Sequence, residues 1–248
     1  MTHPTKAVAA AQALPSVRAL KKQGPIKLGH LKGFRTCALV GNAGHLVKKK
    51  WGKYIDNHDL VVRFNTQELA KFQDHVGGKT GLRVLNHARS RQTCCPSEQG
   101  TRLPEKQSGK KIPAAFLLWH PGRQSEIKTA CRKKFKGTTV FGLDQKFIGE
   151  EVGVMQGMRR DLMRLGMRGF GGWKQLTSGG HAILLLSRMC KYMSLYGFTT
   201  YKSAQKSPDQ YGGRGRKSSS GKKWHDWGGE SLAWRLLHAS ERATICSV

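Results

Sequence analysis

Three stretches of the 248-residue chain carry side chains suited to group-transfer chemistry. Trp224-His225-Asp226-Trp227-Gly228-Gly229-Glu230 sets an imidazole and a carboxylate in an H-x-x-x-x-E spacing, just ahead of an apolar helical run. Asp226 suits a helix N-cap, which leaves His225 immediately outside the helix start. A neutral imidazole in such a place is what a general base near pH 7 needs. Leu176-Thr177-Ser178-Gly179-Gly180-His181 stands before a second apolar run. A hydroxyl-bearing turn ahead of a helix aims hydroxyls and backbone N–H groups at an anion. Cys37-Ala38-Leu39-Val40-Gly41-Asn42-Ala43-Gly44 reads as a buried strand running into a tight turn. Gly41 and Gly44 let the backbone approach a phosphate, and Asn42 offers an amide donor and a carbonyl acceptor. Taken singly, each stretch also reads as plain structure: a surface histidine, a capped core helix, a tight turn.

The elements that must hold these residues follow from hydrophobic periodicity. Apolar runs predict strands at 37–41, 59–64, 81–86, 115–119, 138–142 and 192–198. Helical spacing fits 123–135, 145–166, 178–190 and 227–239. Strands alternating with helices indicate an α/β fold with a mainly parallel sheet. Ligands of such sheets sit outside the carboxyl ends of the strands, where the Gly41 turn falls. No internal repeat is present.

Charge is the strongest compositional feature. Forty-four Lys and Arg stand against 15 Asp and Glu, a formal net charge of +29. No acidic residue precedes Asp56. Residues 1–34 therefore read as a basic flexible segment, and 35–248 as one domain with variable loops at 89–113 and 201–223. Such charge favours anionic partners: nucleic acid, nucleotides, phosphorylated substrates or anionic membrane surfaces. No apolar run approaches the roughly 18 residues of a membrane span.

The six cysteines, Cys37, Cys94, Cys95, Cys131, Cys190 and Cys246, show no CxxC and no Cys/His spacing of a zinc site. Cys37 opens the first strand and Cys190 closes the apolar helix, so buried free thiols are the default reading for both. A bridge requires an oxidising compartment, which composition does not decide.

From Cys37 the chain continues through Ile55-Asp56-Asn57-His58-Asp59-Leu60-Val61-Val62-Arg63-Phe64-Asn65 to Val76-Gly77-Gly78-Lys79-Thr80. That run resembles the long sialylmotif of the eukaryotic sialyltransferase family, glycosyltransferase family 29, at most motif positions and in order. Residues 176–190, followed by Tyr196-Gly197-Phe198, resemble its short sialylmotif, with Leu176 where the family has proline. His225 and Glu230 resemble its very short motif. Between these the family carries a His-Tyr motif, whose counterpart here is Asp209-Gln210-Tyr211-Gly212-Gly213, with Gln210 in the histidine place. The resemblance covers about residues 35–240.

The resemblance implies a Rossmann-like (GT-A variant) sheet and an inverting, metal-independent enzyme with no cofactor. It implies transfer of sialic acid, or a related 2-keto sugar acid, from a CMP-sugar donor to a hydroxyl of a glycoprotein or glycolipid acceptor. His225 becomes the base that deprotonates the acceptor hydroxyl. Gly41, Asn42, Gly44, Asn65, Thr177, Ser178, Gly179 and Tyr211 become the donor site, with Tyr211 offering a hydroxyl from a closing loop. Gln210 and Glu230 support them. Asp56, His58 and Asp59 hold the strand-entry turn. The family's disulfide maps onto Cys37 and Cys190. The implied location is the Golgi lumen behind one N-terminal membrane anchor. No anchor is visible here, so either the sequence is part of a longer product or a membrane-free form exists.

Two other readings keep a place. One is a family member that has lost catalysis and binds nucleotide or glycan only, which the Gln210 replacement favours. The other is a basic nucleic-acid-binding protein, which leaves the three ordered motifs unexplained; no nucleic-acid partner is expected.

Overall fold

The computed structural model describes residues 4–25, 27–28, 31–95, 103–107, 109, 111, 113–119, 124–143, 145–167, 170, 176–198, 211, 225–239 and 244–247. Two helices, α1 (Pro4–Ala13) and α2 (Pro15–Lys22), precede a small antiparallel pair, β1 (Lys27–Leu28) and β2 (Leu31–Lys32). The main body then runs β3 (Phe34–Val40), α3 (Gly52–Asp56), β4 (Leu60–Phe64), α4 (Gln73–Val76), β5 (Leu82–Leu85), α5 (His87–Cys94) and α6 (Pro104–Gln107). It continues through β6 (Ala115–Leu118), α7 (Gln124–Lys134), β7 (Thr139–Gly142), α8 (Gln145–Arg164), α9 (Ser178–Leu186), β8 (Cys190–Tyr196), α10 (Trp227–Ala239) and β9 (Thr244–Ser247).

Seven strands form one sheet in the order β7-β6-β5-β4-β3-β8-β9, with every pair parallel. The expected α/β fold with a parallel sheet flanked by helices is the fold found. From β3 the chain steps outward to β7, then returns to the other side of β3 for β8 and β9. The direction of winding therefore reverses between β3 and β8, the place where open α/β sheets open a crevice for ligands. Strands β4, β5 and β6 are buried along their whole length, as parallel strands covered on both faces must be. One face packs on α2, α8, α9 and α10 through residues such as Leu39, Val62, Met155, Ile183 and Trp234. The other face is covered in two patches, around Val40, Ile55 and Val76 and around Phe116, Ile127 and Phe135.

The N-terminal segment differs from the flexible arm expected over 1–34. Helix α2 lies on α8, with Val17 and Leu20 buried in the main core. The Asp161 carboxylate of α8 accepts from Ser16 N–H at 2.9 Å, satisfying an open donor at the start of α2. The 89–113 region is likewise not all loop. The Asn86 side chain caps α5 by accepting from Arg89 N–H, and α6 follows. Of the 201–223 loop, only Tyr211 is among the described residues. Helix α9 ends at Leu186, four residues short of the expected 178–190. Ser187 turns its hydroxyl back onto Leu184 O, and a short turn follows. Cys190 therefore opens β8 instead of closing a helix.

That position lets Cys190 form a disulfide with Cys37 on the neighbouring strand, their Cα atoms 6.1 Å apart, as the resemblance implied. A second disulfide, Cys94–Cys131, joins α5 to α7. Among the described residues Cys95 and Cys246 are free. No described helix is long and apolar enough to cross a membrane.

The Cys37–Cys190 bridge closes a span of 153 residues. Replacing both cysteines by alanine is expected to cost about 2–5 kcal/mol, read as a lowered urea midpoint against the oxidised wild-type chain.

Candidate functional site

The site is assembled around Phe198, just past the end of β8. A Cβ on Gly41 would lie 2.8 Å from Gly197 O and 3.2 Å from the Phe198 ring. A Cβ on Gly179 would lie 2.6 Å from the same ring. Both glycines are thus demanded by packing at the crevice, before any ligand is considered. Phe64 meets the Phe198 ring edge-on from β4 at 5.8 Å. The turns after β3, β4 and β8 and the start of α9 converge on this one ring.

Asn42 follows Gly41, and its carbonyl accepts from Tyr211 N–H at 2.8 Å. Gly44 begins a short 3-10 turn. Asn65 lies just past β4 with φ 52°, a left-handed conformation that asparagine tolerates better than most residues. Its side-chain carbonyl accepts from Asn86 N–H, and its backbone carbonyl accepts from Arg83. Arg83 is itself held by Glu105 in a buried ion pair. The expected strand-entry residues serve as expected. Asp56 accepts from Gly78 and Lys79 N–H, His58 Nε2 bonds Ser194 Oγ at 3.0 Å, and Asp59 pairs with Thr36.

Tyr211 is buried, its ring edge-on to Phe72 and its carbonyl accepting from the Gln67 amide. Burial pushes its phenol up to about 12, against the pull of Arg63 and Arg83. The loop hydroxyl expected to reach out to a donor is thus part of the core in this structure. What Tyr211 supplies is its own backbone N–H to the Asn42 carbonyl. Gln210 lies outside the described residues.

The start of α9 is capped as expected. Thr177 Oγ1 accepts from Gly180 N–H at 2.9 Å. Glu230, in the first turn of α10, accepts from Thr177 N–H at 2.8 Å and from the Thr177 hydroxyl at 2.7 Å. The Thr177 hydroxyl is therefore occupied within the protein. Ser178 is different: its Oγ accepts from the Trp119 indole N–H at 2.8 Å, which leaves the Ser178 O–H as a donor for other partners. Burial raises the Glu230 carboxyl to about 7, opposed by the two Thr177 bonds and reinforced by Asp226.

Asp226 is the N-cap of α10, accepting from Gly229 N–H at 3.0 Å, and Arg159 of α8 lies 3.5 Å from its other oxygen. His225 is half-buried just outside that helix start. It is close enough to His181 of α9 for its charge to disfavour a proton on that imidazole. The structure thus brings together Gly41, Asn42, Thr177, Ser178, Gly179, Glu230 and His225 from three separated stretches. It adds Trp119, Phe198 and Arg159, which the sequence reading did not assign to the site. Trp119 and Phe198 each end a predicted apolar strand; no local pattern marks Arg159. Among the described residues no group of three or more His, Cys, Asp and Glu side chains is placed to hold a metal ion.

A single parallel seven-stranded sheet flanked by helices, with its winding reversed between β3 and β8, defines a Rossmann-like α/β protein. The model of glycosyltransferase family 29, the sialyltransferases, matches residues 4–242, and the chain belongs to that family. The match takes in α1 and α2, so the family domain begins ahead of residue 35. A zebrafish (Danio rerio) beta-galactoside alpha-2,6-sialyltransferase 2 is 42% identical over 184 residues, 70% of this chain and 34% of that protein. The Arabidopsis thaliana beta-1,6-galactosyltransferase GALT29A is 24% identical over 224 residues, 85% of this chain and 52% of that protein. The chain thus spans about half, or less, of the length of these relatives. A mammalian sialyltransferase crystallised with Gal-beta-1-3GalNAc-ortho-nitrophenol shares the fold, with TM-score 0.55 and 17% identity over 98% of this chain and 86% of that one.

The raised Glu230 carboxyl makes a prediction about pH. Its folded value near 7 lies above that of an unfolded glutamate, so the folded state binds its proton more tightly. The associated stability is fully present below about pH 4 and is lost as pH rises through 7. Glu230→Gln is expected to remove that decline, worth up to about 3 kcal/mol, in urea unfolding measured at a series of pH values.

Proposed function

We infer that the chain is an inverting, metal-independent sialyltransferase, moving sialic acid or a related 2-keto sugar acid from a CMP-sugar to a glycan hydroxyl. The observation that carries this reading is the Glu230–Thr177 tie, which seats the His225-bearing start of α10 beside the capped start of α9 in a chain matching the family from 4 to 242. The crevice between β3 and β8 takes the nucleotide, with the Gly41-Asn42 turn and Asn65 on one side. The N–H groups of Ser178 and Gly179 and the Ser178 hydroxyl meet the phosphate and sugar carboxylate. Thr177 builds this cradle without touching the ligand, and Tyr211 ties to the Asn42 turn through its backbone N–H. Glu230 and Gln210 support the site.

In the reaction His225 takes the proton of the acceptor hydroxyl as its oxygen attacks the anomeric carbon. The bond from that carbon to the CMP phosphate breaks on the opposite face, which inverts the configuration. Charge developing on the departing phosphate is met by donors already in place, which lowers the barrier without reorganisation. The two disulfides support an oxidising compartment, and a Golgi-luminal home fits the family. Gln210, standing where the family has histidine, favours a second reading: a member that binds donor without transferring it.

The test is incubation with CMP-sialic acid and a panel of galactose-terminated acceptors. CMP-Kdo and a galactose nucleotide are added, since one relative is named a galactosyltransferase. Transfer with at least one donor is expected. His225→Ala is expected to lower turnover at least a hundredfold while CMP still binds. CMP binding with no transfer by the wild-type chain selects the second reading.

A further inference from the structure

Glu151 of α8 and His181 of α9 are 4% and 2% exposed, and the transfer reaction uses neither. Glu151 Oε2 and His181 Nδ1 share a hydrogen bond, and Glu151 Oε1 has no hydrogen-bond partner among the described residues. His181 N–H bonds Thr177 O, which places the imidazole one turn into the helix whose start forms the anion cradle. Its ring packs against Trp119, 4.9 Å between centroids, and the Trp119 N–H in turn sets the Ser178 hydroxyl. The charged groups facing the pair are few. Arg188 acts on Glu151 and is itself balanced by Glu150. His225 acts on His181 from the start of α10. Leu20 of α2 and Gln23, just past that helix, line the small cavity that Glu151 borders.

Burial dominates both groups. It pushes the Glu151 carboxyl up, against Arg188, and the His181 imidazole down, with His225 adding to the fall. The pair therefore rests neutral, with the proton of their hydrogen bond on the carboxyl, the cheapest state for two ionisable groups in a dry interior.

We propose that the Glu151–His181 pair is an internal proton store that places a positive charge in α9 when an anion binds at that helix's N-terminus. An unoccupied helix start is itself positive and opposes an imidazolium in its first turn. A bound phosphate or carboxylate reverses that field. The Oε2–H bond of Glu151 then breaks and the Nδ1–H bond of His181 forms. A carboxylate is left on α8, facing Arg188, and an imidazolium in α9, on the side of the anion. No proton is exchanged with solvent. Neither side chain touches the ligand; the pair acts through its field. The inference rests on the donor-site reading above.

The experiment is a titration of the whole chain, labelled with 15N-histidine, with CMP, alongside CMP affinities of the wild type, Glu151→Gln and Glu150→Gln. CMP is expected to convert His181 Nδ1 from the unprotonated to the protonated 15N signature. Glu151→Gln, which keeps a hydrogen-bonding group but cannot give up a proton, is expected to bind CMP about tenfold more weakly. The exposed neighbour Glu150→Gln is expected to bind it as the wild type does. A purely structural pair predicts a lower Tm for Glu151→Gln with unchanged CMP affinity of the folded protein. CMP binding with an unchanged His181 signature overturns the proposal even if Glu151→Gln does not fold. Failure of the wild-type chain to bind CMP removes the donor site itself, and this inference with it.

Discussion

The two oxygens of Glu230 accept from the backbone N–H and the hydroxyl of one residue, Thr177, across 53 positions of sequence. A buried carboxylate is costly unless its lone pairs are filled. Here one filling is a backbone donor left open by the start of α9, so the same contact caps one helix and seats another. Everything chemical about the site depends on that seat. Asp226 caps α10 at its start, Arg159 reaches Asp226 from α8, and His225 stands just ahead of that start, within electrostatic reach of His181.

The sheet supplies the other half of the geometry. Strands β3 and β8 are joined by a disulfide near the start of β8. Just past their carboxyl ends, Gly41 and Gly197 pack against each other. The Phe198 ring lies against both the Gly41 turn and the start of α9 and allows only hydrogen atoms at 41 and 179. The glycines of the two family motifs are thus explained by packing against Phe198 and the Gly197 backbone.

Most of the fold was legible because its strands are short apolar runs and its helices show helical spacing, the two patterns a parallel α/β sheet forces on sequence. The exceptions have physical reasons. Thr244-Ile245-Cys246-Ser247 is a four-residue edge strand with a single buried side chain, Ile245, too little pattern to register. Residues 4–22 are Ala-rich and free of acid, which reads as a tail; their order comes from Val17, Leu20 and the Ser16 N–H that Asp161, far along the chain, accepts. Cys190 looked helical because Ser187-Arg188-Met189 continue an apolar helix pattern, yet the chain turns there. In the site, the motif residues were legible by type and spacing. Trp119, Glu151 and Arg159 were not, since their partners lie tens of residues away and no local signal encodes them.

The charge of +29 takes a different meaning in this setting. Lys48, Lys49, Lys50 and Lys53 are exposed, whereas the buried arginines Arg63 and Arg83 are consumed by carbonyls and carboxylates of the core. Exposed lysines of this kind raise the rate of encounter with anions. The central claim is that the β3 turn, the start of α9 and the start of α10 form one nucleotide site. Mapping backbone amide shifts during a CMP titration tests it most directly. The account predicts saturable shifts of Asn42, Ser178, Gly179 and His225 with one common Kd. Weak, unsaturated shifts spread over the lysine-rich surface, with these four unmoved, would contradict it.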